Sequence, residues 1–204
     1  MQSEAIGHGI SYLMERKRAW ILNSWHIILK RRPNIGEEIE VSTWATGFRG
    51  VFGPRNFMMK TKTGEVLAYA NSLWVYMNTE KGRPMKPEPE EIAAYEVEPA
   101  LEMEQVDRKI QSDLETMEVG TYKVRRSQID TNHHMNNGQY LAVALETMED
   151  QDWIREIRVE YKKSAMLGDK LVVRKAEERD KCIVRLGNLE KEYAIIEWIG
   201  EKKE

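Results

Sequence analysis

The sequence predicts an α+β chain of two tandem units, each a helix followed by antiparallel strands. Three observations predict it. First, "IILKRRPNIGEEIEV" at 27–41 returns as "VEYKKSAMLGDKLVV" at 159–173. Aligned without gaps, Gly36 falls on Gly168, Ile35 on Leu167, Glu37 on Asp169, Ile39 on Leu171 and Val41 on Val173, with Lys30 and Arg31 on Lys162 and Lys163. Second, apolar residues at helical spacing precede each copy: Ile6, Ile10, Leu13 and Met14, then Leu141, Ala144, Leu145 and Met148. Third, strand-like runs follow each copy, "NFMMKTKTGEVLAYANSLWVYMN" and "KCIVRLGNLEKEYAIIEWI", with turn signals at Thr63-Gly64 and Gly187-Asn188.

Each repeat copy reads as strand, tight turn at the glycine, strand. In this register Met1 meets His133, so the opening strand of the second unit has no counterpart, and the first unit is expected to lack it. The predicted domains are an N-terminal unit over 1–78, a linker over 79–118 and a C-terminal unit over 119–204. The linker is acidic and holds Pro84, Pro87, Pro89 and Pro99. Within it "EEIAAY" predicts a short helix.

Composition narrows the function classes. With 41% hydrophobic and 32% charged residues in 204, the chain can bury a core and keep a polar surface. Net charge is -3, which excludes a bulk polycation suited to nucleic acid. The single cysteine, Cys182, rules out a disulfide framework and fits a reducing compartment. No apolar run reaches membrane-span length, and no basic-then-apolar leader is read at the N-terminus. The expected location is cytoplasmic.

The densest polar chemistry lies in "IDTNHHMNNGQY" at 129–140. A strand over 122–134 would put Asp130, Asn132 and His134 on one face, and Thr131, His133 and Met135 on the other. Asn136 or Asn137 suits the cap of the following helix, whose N-terminal N–H groups could hold an oxyanion. Zinc fits poorly, with one thiol and adjacent histidines, and no serine-hydrolase elbow is present. An acid, an amide and an imidazole before a helix start point to chemistry at a small carbonyl group.

The run "DTNHHMNNGQYLAVALE" resembles the hotdog-fold thioesterase signature Asp-x-Asn-x-His-x-Asn-Asn-x-x-Tyr. With Asn132, it is similar to the acyl-acyl-carrier-protein thioesterases. "STWATG" at 42–47, Arg55 and Phe57, "GEVLAYANSLWVYMN" and "VEYKKS" carry the same resemblance. It implies two tandem hotdog units, each a long helix wrapped by an antiparallel sheet. It also implies hydrolysis of the thioester joining a fatty acyl chain to acyl carrier protein, with Asp130, Asn132 and His134 catalytic. Asn136, Asn137, Tyr140, Glu146 and Ser164 are the implied supporting residues, and Trp44 and Trp74 mark the acyl-chain side. Plant members carry Glu-Cys where this chain has Ser164-Ala165, so a cysteine nucleophile there is excluded, and Cys182 reads as a small buried hydrophobe.

The expected mechanism is water attack without metal or organic cofactor. Asn132 and a helix N–H would polarise the carbonyl. His134 would take the water proton or hold the water, and Asp130 would either orient His134 or act as base itself. Carrier proteins are acidic, so Arg125, Arg126, Lys162 and Lys163 are the candidate docking charges. No nucleic-acid or membrane-spanning partner is expected, and a homodimer is left open. An acyl-coenzyme A thioesterase and a non-hydrolytic acyl-thioester binder remain the alternatives.

Overall fold

The glycine of each repeat copy adopts a left-handed backbone that favours glycine: φ is 82° at Gly36 and 87° at Gly168. Both turns close alike. The Glu37 N–H donates to the Asn34 carbonyl at 3.0 Å, and the Asp169 N–H to the Met166 carbonyl at 3.1 Å. Each acid then reaches back. Glu37 Oε2 accepts from the Asn34 N–H at 2.8 Å, and Asp169 Oδ2 from the Met166 N–H at 2.9 Å. The preceding strands also end alike: Lys30 and Arg31 both donate to the Leu67 carbonyl, and Lys162 and Lys163 to that of Tyr193. The sequence repeat is a structural repeat.

The computed structural model describes residues 2–188 and 190–201, in two compact units, Met1–Arg108 and Lys109–Glu204. The first contains α1 (Gln2–Ala5), α2 (Ile10–Glu15), β1 (Arg18–Leu29), β2 (Ile39–Ala45), β3 (Phe52–Thr61), β4 (Val66–Asn78), β5 (Arg83–Pro84) and α3 (Pro89–Ala93). Its antiparallel sheet runs β2-β3-β4-β1, with β5 paired to β4. The second contains β6 (Met117–Lys123), α4 (Asn137–Leu145), β7 (Ile154–Tyr161), β8 (Lys170–Glu177), β9 (Lys181–Gly187) and β10 (Glu192–Gly200). Its order is β7-β10-β9-β8-β6. Without β6 the two orders coincide. Among the described residues no strand takes the place beside β2 that β6 takes beside β8.

Two expectations need correction. The first unit does not carry one continuous helix. It breaks between α1 and α2, where Gly7 takes φ 75° and Gly9 follows. Glycine inside a helix costs ~1 kcal/mol relative to alanine, and Ile10 and Met14 of the predicted apolar stripe are exposed. The predicted strand over 122–134 ends at Lys123. Beyond it the Val124 N–H donates to the Asp169 carbonyl. A single 3₁₀ turn follows at Arg126–Gln128, with the Gln128 side chain accepting from the Arg125 N–H at 2.9 Å.

In the second unit, α4 buries Tyr140, Val143 and Ala144. Leu171, Val173, Val184, Leu186, Ala194, Ile196 and Trp198, all buried, alternate onto the inner face of β8, β9 and β10. β10 shows no polar alternation because its other face is covered too. Ile110 packs there on Ile183 and Ile195, and the fully buried Glu197 lies between Arg158 at 2.7 Å and Lys181 at 2.5 Å.

Arg31 joins the first repeat turn to the turn before β4 by bridging Glu37 at 2.7 Å and Glu65 at 2.6 Å. The Arg31 hydrogen bond, helped by the Asn34 N–H, lowers the Glu37 carboxyl from 4.5 to about 2. A depressed carboxylate contributes stability above its unfolded value and loses it as pH falls through the folded one. Thermal denaturation should therefore show stability declining as pH drops from 4.5 toward 2. Glu37→Gln should flatten that decline, and an unaltered pH profile in this variant would contradict the assignment.

Candidate active site

Residues 129–136 form a tight loop between the 3₁₀ turn and α4. An antiparallel bridge pairs Ile129 with Met135. Across the loop, the Asp130 N–H donates to the His134 carbonyl at 2.8 Å, and the His133 N–H to the Asp130 carbonyl at 3.0 Å. The Asp130 side chain completes it. Its Oδ1 accepts from the Asn132 N–H at 2.8 Å and the His134 N–H at 3.3 Å, an Asx-type turn that leaves Oδ2 outside these bonds. His133 sits at the tip with φ 62°, a conformation in which histidine is enriched among non-glycine residues.

The loop brings Asp130, Asn132 and His134 together, but not by strand alternation. The predicted shared face is corrected to a five-residue turn closed by Asp130. His133 is still separated from the others, as the exposed tip rather than as the opposite face of a strand. Asp130 and His134 are half-buried, and Asn132 is exposed.

The helix start is fixed with equal care. Asn136 is the cap, and its side-chain oxygen accepts from the Gly138 N–H at 2.9 Å. The Gln139 N–H goes to the Asn136 carbonyl. Among the described residues nothing accepts from the Asn137 N–H, which remains a free donor at the positive end of α4. Two buried tyrosines anchor this end. Tyr140 Oη accepts from the Ala165 N–H at 2.8 Å, and Tyr161 Oη donates to the Asn137 carbonyl at 3.0 Å. Burial pushes both phenols up, so both keep their protons. The Met135 N–H meets the Ala165 carbonyl at 2.8 Å. Ala165 thus holds the loop and the helix at once. Tyr161 and Gln128, whose amide reaches Gln139 at 3.3 Å, are supporting residues that the sequence reading missed. Their period-two strand and isolated polar positions gave no signal.

Other predicted residues lie further off. Ser164 is exposed, one residue before Ala165. Glu146 is the C-cap of α4, ~14 Å along the axis from Asn137 at 1.5 Å per residue, and is not brought to the loop. In the first unit Trp44 and Trp74 lie on opposite faces of the sheet. Trp44 pairs with Asn56 and Asn56 with Asn71, whereas Trp74 pairs with Gly53 and Leu22. One channel cannot be lined by both. Trp74 shares its face with Leu22, Trp25, Phe57 and Ala70, and Trp25 and Phe57 rings meet at 4.6 Å. Trp44 instead donates to the Pro99 carbonyl at 3.0 Å. Of the docking candidates, Arg125, Arg126 and Lys163 are exposed, with Arg125 over the Tyr122 ring, while Lys162 is tied to Glu192 at 2.6 Å. Among the described residues no group of His, Cys, Asp and Glu is arranged to hold a metal ion, and no helix is long and apolar enough to cross a membrane.

Residues 1–95 match the pattern described as the acyl-ACP thioesterase N-terminal domain, and residues 111–199 the C-terminal domain of the same family. A dodecanoyl-[acyl-carrier-protein] hydrolase of Umbellularia californica is 30% identical over 160 residues, 71% of this chain and 41% of that protein. Oleoyl-acyl carrier protein thioesterase 1 of Arabidopsis thaliana is 27% identical over 165 residues, 74% of this chain and 46% of its own. The chain thus spans less than half the length of these curated relatives. The crystal structure of an acyl-ACP thioesterase from Bacteroides thetaiotaomicron superposes with a TM-score of 0.84 at 25% identity, over 98% of this chain and 83% of that one. The fold is the tandem hotdog.

Asp130→Ala removes the acceptor for two amides and should destabilise the protein by ~1–2 kcal/mol, the scale of one or two ordinary hydrogen bonds. Amide exchange at Asn132 and His134 should speed up. Asp130→Asn, which keeps an acceptor oxygen, should lose less. Equal stability and exchange in parent and Asp130→Ala would show that the side chain does not close the turn.

Proposed function

Because the chain belongs to the acyl-ACP thioesterase family, we propose that it hydrolyses the thioester of fatty acyl-acyl carrier protein, releasing free fatty acid. The observation that carries this reading is the continuity of loop and helix. Asp130, Asn132 and His134 occupy one short turn that runs directly into the free Asn137 N–H. A thioester carbonyl needs an oxyanion donor on one side and a proton acceptor for water on the other.

In this mechanism the Asn137 N–H and the Asn132 amide hold the carbonyl oxygen as it gains charge. Removing one such donor typically costs ~3–4 kcal/mol of transition-state stabilisation. His134 takes the proton as water attacks the carbonyl carbon. The carbon–sulfur bond then breaks, and the departing thiolate of the pantetheine arm takes the proton that His134 holds, which restores the imidazole. Asp130 Oδ1, committed to two backbone amides, supports the reading of Asp130 as the group that positions His134 and Asn132. Its Oδ2 keeps the base reading open. The acyl chain is assigned to the Trp74 face of the first sheet, where Ala70 pairs with Phe57 and Ile27, and Ala68 with Met59 and Leu29. We place the reaction in the cytoplasm, and the single, buried Cys182 supports a reducing compartment.

Free-thiol release from dodecanoyl-acyl carrier protein and dodecanoyl-coenzyme A, with the protein at catalytic amounts, tests the function. Turnover of the carrier substrate with higher kcat/KM supports it. Preference for coenzyme A, or tight binding without release, would favour the alternatives. His134→Ala should lower kcat at least ~100-fold, the usual scale of general acid–base catalysis, while His133→Ala keeps most activity. Equal losses in folded variants would refute the role separation. Trp74→Ala should raise KM for long acyl chains or change chain-length preference. Trp44→Ala, on the other face, should do neither, and the reverse pattern would move the acyl site.

A further inference from the structure

We infer that the outer face at the β6–β8 end of the second unit docks the acidic side of an acyl carrier protein, with Lys123 and Lys170 taking its charge and Met166 and Leu167 its apolar contact. This inference rests on the reading of the site above and deepens it by naming the surface that presents the substrate. It also revises the set of candidate charges read from the sequence.

Lys123 on β6 lies directly opposite Lys170 on β8. Both are exposed and project to the same face, since their neighbours Tyr122 and Leu171 form the next pair and Leu171 is fully buried on the other. Like charges directly opposite destabilise a sheet. Among the described residues neither lysine has an ion pair, and Lys163 has none either. Two acids of the adjoining segments, Asp169 and Glu192, are already used. Asp169 Oδ2 accepts from the Met166 N–H and, at 3.0 Å, from the Tyr193 hydroxyl. Glu192 is shared by Lys162 at 2.6 Å and Arg185 at 2.8 Å. Burial alone would raise the Glu192 carboxyl, but the two cationic hydrogen bonds together hold it below its usual range.

The first unit supplies an internal control. The repeat register sets Glu38 at the position of Lys170, and Glu38 pairs with Lys62 at 2.5 Å. The position of Lys163 is occupied there by Arg31, which is bound by Glu37 and Glu65. The fold therefore accommodates a neutralised surface at this place, and the second unit leaves it cationic.

An apolar feature accompanies the charge. Met166 and Leu167, 46% and 51% exposed, form the tip of the turn that Gly168 permits. The tip adjoins the site, because Ala165 carries the hydrogen bonds to Met135 and Tyr140. A phosphodiester-bearing pantetheine arm approaching Asn137 would bring its carrier to this place. Coenzyme A could satisfy the lysines but has no protein surface for Met166 and Leu167. Charge and apolar contact together select a protein partner.

Fluorescence-anisotropy titration of labelled holo-acyl carrier protein, which carries no acyl group, reads docking without turnover. Hydrolysis can therefore fail while docking stands, and the reverse. Lys123→Glu and the double variant Met166→Ser, Leu167→Ser should each weaken carrier binding about tenfold, the scale of electrostatic steering and apolar anchoring. For dodecanoyl-coenzyme A, kcat/KM should fall less than about threefold in the double variant. Lys123→Glu should also raise Tm, because it replaces repulsion with attraction across the β6–β8 pair, so its binding loss cannot be a folding defect. Unchanged carrier affinity in both variants, no carrier binding by the parent, or a lowered Tm in Lys123→Glu would overturn the inference. So would apolar-tip-dependent binding to phosphatidylglycerol vesicles with carrier binding intact, which would mark a membrane-contacting surface instead.

Discussion

The Asp130 carboxylate, through one oxygen accepting two backbone N–H groups, determines the shape of everything the second unit offers a substrate. The turn it closes contains His133 in a left-handed conformation that costs roughly 1–3 kcal/mol when not otherwise supported. Without the carboxylate the loop would have to satisfy the Asn132 and His134 amides by other means. With it, the chain reverses quickly enough to enter α4 at Asn136. The turn leads directly into the Asn136-capped start of α4 and its free Asn137 N–H. Ala165 and the two tyrosines then lock the turn to the sheet from the other side.

The structural repeat shows which features belong to the fold and which to the site. The left-handed glycine, the acid that caps its own turn and the paired basic N–H groups recur in both units, so they serve the strand–turn–strand connection. The differences are local. The first unit breaks its helix between α1 and α2 and neutralises Lys62 and Arg31 with acids. The second keeps an unbroken α4 with a capped start and leaves Lys123 and Lys170 facing each other. The capped helix start that the proposed chemistry needs belongs to the second unit.

Much of this was legible in the residues. Gly36 and Gly168 announced the repeat because glycine is the cheap solution to a left-handed turn, and the acid one position later announced its closure. The helical spacing of Leu141, Ala144 and Leu145 located α4, and the cap was narrowed to Asn136 or Asn137, of which the structure uses Asn136. The strand reading of 122–134 failed for a definable reason. Alternating polarity in Asp130-x-Asn132-x-His134 imitates a half-exposed strand, while the same residues are also turn formers that bond their own backbone. Sequence spacing does not distinguish the two, because the decision lies in distant partners, the Asp169 carbonyl for Val124 and the Ala165 carbonyl for Met135. The placement of Trp44 and Trp74 on opposite faces likewise depends on strand register, which neither tryptophan encodes alone. The buried Glu197, on a strand covered on both sides, was invisible because its neighbours Ile195 and Ile196 gave no alternation to interrupt.

The account stands on the claim that the thioester carbonyl sits between the Asp130-closed turn and the start of α4. A crystal structure with a hydrolysis-resistant acyl-pantetheine analogue, its sulfur replaced by methylene, measures this directly. The account predicts the analogue's carbonyl oxygen within hydrogen-bonding distance of the Asn137 N–H, with the His134 imidazole on the opposite side of the carbonyl carbon. A carbonyl bound away from both, with the 129–136 turn untouched by the analogue, would contradict it.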